Sequence, residues 1–235
     1  MKIWGCWATF LWTVVAFMLG QFIAMAAIVW WQQKGLSSLM DTPYDGVLVT
    51  LFIVISNPIV IAVLAFAARL LGVTPKDYLA LSWPPMRDVW IGVGVIVALI
   101  ALSDALLFLS GHALVTSFQL QSYATAAAEG WLWPMAFAAI IVAPAGEEVM
   151  FRGFLFRGWA RSEQGTRIAI VVISLLWAAL HIQYDWTGIL QIFVVGLVLG
   201  WIRWRSASTA LTFLLHALFN LEGTLETVLK VHFFS

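Results

Sequence analysis

The stretch A-P-A-G-E-E-V-M-F-R-G-F-L-F, residues 143–156, places two adjacent carboxylates, Glu147 and Glu148, and a guanidinium, Arg152, in an otherwise apolar run. The run extends from residue 132 to 160. A membrane-spanning helix needs about 20 predominantly apolar residues, so this segment is long enough to cross. Charges inside hydrocarbon are expensive, and where they occur they are functional candidates by default.

Outward from that segment, the chain has the composition of a membrane protein. Of its 235 residues 63% are hydrophobic and only 10% are charged, and the mean hydropathy is +0.96. A soluble domain carries roughly a quarter charged residues. The sequence predicts an all-α, polytopic transmembrane helix bundle with about seven spanning helices: 3–31, 47–72, 88–110, 132–160, 167–184, 187–204 and 208–229. Many of the 14 tryptophans fall near the ends of these segments, where indoles sit at the headgroup level. The link 73–87 has proline at both ends and alternates polar with apolar residues, the pattern of a short amphipathic piece lying on the membrane surface. Gly196 and Gly200 form a G-x-x-x-G, read as close helix packing. Ala24-Met25-Ala26 mimics a signal-peptidase site, but the apolar run before it exceeds the 7–15 residues or so of a signal core. The first helix is therefore expected to stay in place.

Net charge is zero, which gives no reason to expect a nucleic-acid partner; the lipid bilayer is the expected surrounding. The single cysteine, Cys6, excludes an intrachain disulfide and a cysteine metal cluster. Three regions are expected: 1–130, N-terminal helices with the amphipathic link; 131–222, a helical catalytic core; and 223–235, a C-terminal tail. Orientation follows from the basic residues. Lys2, Arg69, Lys76, Arg87, Arg157, Arg161, Arg167, Arg203 and Arg205 fall on one side, and Lys34 and Lys230 on the other. The positive-inside rule then predicts a multi-pass protein of the cell membrane, N-terminus cytoplasmic and C-terminus outside.

Within this topology three ionisable side chains share one depth. Glu147 lies fourteen residues from Arg161, His181 fourteen from Arg167, and His216 eleven from Arg205. At 1.5 Å per residue these are depths of roughly 21, 21 and 17 Å. Residues four apart share a helix face. Arg152 is thus placed to neutralise Glu148, leaving Glu147 free to face another partner. By the same spacing His216 and Asn220 share a face, and Trp177 sits beside His181. Pro144 and Gly146 should loosen the helix just before the glutamates. His112 and His232, in an outer link and the tail, are read as structural. Asp104 is a further acid in the third segment with no partner visible in the sequence.

This set of residues suits hydrolysis. A carboxylate in a low-dielectric pocket can take a proton from water and return it. Histidine and asparagine can donate hydrogen bonds to an oxyanion. The same Glu147, His181 and His216 could instead hold zinc as a two-histidine, one-glutamate site with an open position. A proton-coupled transporter also buries such groups, although the sequence shows no internal repeat.

The motifs E-E-V-M-F-R (147–152), W-A-A-L-H (177–181) and H-A-L-F-N (216–220) resemble those of the CAAX protease and bacteriocin-processing (CPBP, or Abi) family of intramembrane proteases. That family's pattern is E-E-x-x-x-R, F-x-x-x-H and H-x-x-x-N/D. Trp177 stands here where the pattern has Phe. The resemblance implies an intramembrane endopeptidase acting on a membrane-associated protein or peptide. Glu147 would activate water with help from His181, and His216 and Asn220 would hold the oxyanion. Glu148 and Arg152 would order the site. It implies no resident cofactor as the first reading and zinc as the second. It also admits a non-catalytic immunity or scaffold protein of the same fold.

Overall fold

A computed structural model describes residues 1–33, 35, 42 and 44–233. Lys34, counted above among the basic residues, lies outside them. Nine helices and no strand are found among the described residues: α1 (Cys6–Gln32), α2 (Gly46–Leu70), α3 (Pro75–Tyr78), α4 (Met86–Leu109), α5 (Ser117–Ala128), α6 (Leu132–Trp159), α7 (Glu163–Ala179), α8 (Trp186–Ser206) and α9 (Thr209–Phe233). The fold is all-α, as the sequence predicts.

Helices stand at all seven expected places. Five of them, α1, α2, α4, α6 and α8, are long and apolar enough to cross a membrane. The count of seven is not reached by that measure, for two separate reasons. Helix α7 has only 17 residues. Helix α9 has 25, but Glu222, Glu226 and Lys230 interrupt its second half. Residues 223–233 continue α9 rather than forming a separate piece.

Side chains cap the starts of several helices. Asp45 accepts the Leu48 N–H at α2, Ser162 the Gly165 N–H at α7, and Thr116 with Gln119 forms a capping box at α5. Such caps satisfy amide groups that a helix start leaves free. Asp185 caps α8 by accepting the N–H of Gly188. That bond, with the Thr187 hydroxyl, holds the Asp185 carboxyl below its usual range.

Helices α1 and α2 pack together, as do α7 and α8, while α6 and α9 meet in the middle. Close approach needs small residues. A Cβ on Gly196 would stand 2.9 Å from the Ser174 Cβ, so G-x-x-x-G marks the α7–α8 contact. The link 73–87 is drawn further into the protein than expected. Tyr78 and Leu79 are buried, and Arg157 donates to the carbonyls of Tyr78 and Asp77 at 2.7 and 2.6 Å.

Candidate active site

The loosening predicted at Pro144 and Gly146 takes the form of two π-helical stretches in α6, Ala138–Val142 and Val149–Leu155. Between them lies one short α segment, Ala143–Glu148, carrying both glutamates. Pro144 has no N–H to return to the carbonyl of residue 140, and the turn before it widens. Single π turns inside α-helices often mark functional sites. Gly146 faces α2 so closely that a Cβ there would overlap the Asn57 side chain.

Glu148 is fully buried. Its Oε1 accepts from Arg152 Nη1 at 2.9 Å and from His216 Nδ1 at 3.0 Å. Among the described residues its Oε2 has no hydrogen-bond partner. Arg152, also buried, gives Nη2 to the Gly196 carbonyl at 3.3 Å and lies 4.5 Å over the Trp177 ring. Its own carbonyl receives Arg203 Nε at 2.9 Å. Buried charges persist only when paired and hydrogen-bonded. Here α6, α8 and α9 together supply the partners. The sequence paired Glu148 with Arg152 alone; His216 is an additional partner that the spacing does not show.

Glu147 is half-buried, and its Oε2 accepts the Trp177 indole N–H at 2.6 Å. Trp177 also presents its carbonyl to His181 Nδ1 at 2.8 Å. Its ring packs edge-on to both histidines, with centroids 5.4 Å from His181 and 5.0 Å from His216. Helix α7 ends at Ala179, so His181 sits just past its end rather than on its face. The imidazole there takes a carbonyl from the last turn, a common fate of such groups. A carbonyl and a carboxylate can only accept. Each histidine Nδ1 must therefore carry a proton, leaving Nε2 as the outward atom of His181 and of His216. Asn220 donates Nδ2 to the Ala139 carbonyl, inside the first π stretch, at 2.8 Å. One amide hydrogen is left over.

Glu147, Trp177, His181, His216 and Asn220 all line one cavity of about 560 Å³. Glu148 and Arg152 are not among its lining side chains; they stand behind His216 and Trp177. A family model described as Type II CAAX prenyl endopeptidase Rce1-like matches residues 129–221. This segment of the chain is Rce1-like. Neither the curated proteins nor the solved structures give a match.

The Rce1-like segment takes in α6, α7, α8 and the first half of α9, and so holds Glu147, Glu148, Arg152, His181, His216 and Asn220. Helices α1 to α5 lie outside it. Helices α1, α2, α4 and α5 still reach the cavity, and Asp104 of α4 lines it together with Glu222 and Glu226 of α9, just beyond the segment's end. The carboxylate oxygens of these three lie within 4.8 Å of one another. The sequence left Asp104 without a partner. The four-residue spacing of Glu222 and Glu226 was the available signal, but nothing in it pointed across to α4.

Proposed function

We propose that this multi-pass chain is an intramembrane endopeptidase that hydrolyses a peptide bond of a membrane-associated protein or peptide. The family match supports a CAAX-protease type of enzyme. The observation that carries the mechanism is the bond from Trp177 to Glu147. It holds one carboxylate oxygen of a side chain that lines a cavity shared with two histidines and an asparagine.

Glu147 takes a proton from water as the water oxygen bonds to the scissile carbonyl carbon. The carbonyl electrons move to oxygen. The second amide N–H of Asn220 and Nε2–H of a protonated His216 meet that oxyanion. Glu148 already accepts from Nδ1 of His216, so it stabilises the imidazolium. Arg152 balances Glu148, and the protonated His216 balances Glu147. When the intermediate collapses, the C–N bond breaks and the leaving amine takes the proton from Glu147. His181, fixed through Nδ1, turns Nε2 toward the water. Glu147, His181 and His216 are also residue types that would hold zinc, although among the described residues the carboxylates gathered within 4.8 Å of one another are those of Asp104, Glu222 and Glu226. In that reading the metal would polarise the water and Glu147, His181 and His216 would hold it.

Orientation belongs to the same proposal: N-terminus cytoplasmic, C-terminus outside. Glu147→Gln should lower cleavage by at least 10²–10⁴-fold, the usual worth of a general base. The peptide profile of membranes carrying wild-type or variant protein is the measurement. Unchanged products would leave a non-catalytic scaffold, and altered ion flux without products a transporter. Prolonged chelation should leave the rate nearly unchanged if the carboxylate acts on water alone; loss restored by added zinc would select the metal reading.

A further inference from the structure

Away from the glutamates, a second cavity of about 580 Å³ is lined by three arginines, Arg157, Arg161 and Arg203, with Phe156 among its apolar walls. Arg203 is 6% exposed, Arg157 is half-buried and Arg161 is exposed. Among the described residues, every hydrogen bond they make goes to a neutral backbone carbonyl. Arg157 bonds Tyr78 and Asp77, Arg161 bonds Gly158 and Trp4, and Arg203 bonds Arg152. Among the described residues none of the three is in an ion pair, whereas Arg152, Arg167 and Arg205 each have a carboxylate.

The nearby acids are engaged. The Asp77 carboxylate attracts Arg157 through space without pairing with it, and accepts the Thr74 hydroxyl at 2.6 Å. Glu148, which attracts Arg203, is held by Arg152 and His216. Arg157 and Arg203 repel one another. Cations gathered in a partly buried cavity, none of them in an ion pair among the described residues, leave electrostatic attraction unused. A guanidinium has five N–H groups, so each arginine keeps donors after its carbonyl bonds. Those carbonyls, and Phe156 beneath Arg203 at 5.3 Å, hold the three planes in place in advance.

The geometry points to a phosphate-binding site formed by Arg157, Arg161 and Arg203. Planar guanidinium forks match phosphate oxygens in pairs. Phosphate at this position could belong to an anionic lipid headgroup or to a free phosphate ion. The indoles of Trp4 and Trp159 lie at the same end of the bundle, bonded to Ala67 and Cys6. Basic pockets between spanning helices on the side rich in Lys and Arg bind lipid headgroups.

The test uses the full chain purified in detergent, with native mass spectrometry reading retained phosphatidylglycerol and phosphatidylcholine. A parallel arm reads the thermal midpoint in millimolar inorganic phosphate. Wild type should retain phosphatidylglycerol at one per chain, at least tenfold over phosphatidylcholine, whose choline the arginines repel. Arg161→Gln, on an exposed side chain that should not disturb folding, should lose about tenfold; Arg161→Lys should keep most of the binding. Phosphate raising the midpoint of wild type but not of Arg161→Gln, without lipid preference, would identify the free ion as the ligand of the same site. Binding of neither probe, or equal binding by wild type and by a folded Arg157→Gln/Arg161→Gln double variant, overturns the proposal.

Discussion

At the scale of single residues, Trp177 joins more of the site than any other residue described above. Its indole N–H holds Glu147, its carbonyl holds His181, its face carries the Arg152 guanidinium, and its edge packs on His216. A phenylalanine, which the family pattern has at this position, could keep the packing but not the N–H. Trp177→Phe should therefore leave the thermal midpoint within a few degrees and KM nearly unchanged. It should lower kcat roughly tenfold to a hundredfold, the worth of a hydrogen bond to a charged group, about 1.5–3 kcal/mol. Steady-state kinetics beside a melting curve would check it; unchanged kcat would make the bond ornamental. The six residues named from the sequence were legible because helical spacing and depth are properties of one segment at a time. The bonds from Trp177 to Glu147 and from His216 to Glu148 cross between helices. No spacing within a segment encodes them.

At the scale of elements, α6 departs most from a regular helix. Its π stretches flank the glutamates, and its Gly146 lies against Asn57 of α2. Adding a methyl at that contact overpacks it, which typically costs 1–3 kcal/mol. Gly146→Ala should lower the thermal midpoint, and Asn57→Ala in the same chain should recover much of the loss. Equal midpoints for the single and double variants would show that the contact is not the strained point. The hydrophobic runs located every long helix, because length and apolar content are enough for that. They missed α5, whose twelve residues are too few and too polar to stand out. They also placed the 73–87 link on a membrane surface, since its Tyr78 and Leu79 are buried by packing into the core, Tyr78 against Phe154 of α6, a contact between elements that the link's own pattern does not encode.

At the scale of the whole molecule, the asymmetry of charge sets the expected orientation. Nine basic residues on one side against two on the other predict the α8–α9 turn in the cytoplasm and the end of α4 outside. Ser37, in the first outer link, is a natural labelling position but lies outside the described residues; Ser110, exposed at the end of α4, serves instead. With Cys6 replaced by serine, a cysteine at Ser110 should react with an impermeant maleimide on intact cells. A cysteine at Ser206 should react only after permeabilisation. The reverse pattern would invert the orientation and put the arginine cavity on the outer face.

The shortness of α7 has its own consequence. Seventeen residues rise about 25 Å, against roughly 30 Å of hydrocarbon in an ordinary bilayer. A helix too short for its surroundings draws the lipid thinner around it. The missing length is at the His181 end if the other end is fixed by Arg167 and the Ser162 cap. Headgroups and their water would then dip toward the imidazole, giving the proposed hydrolase a local supply of its second substrate. Reconstitution in lipids of decreasing acyl length should speed turnover until the mismatch vanishes, and long-chain lipids should slow it with the fold intact.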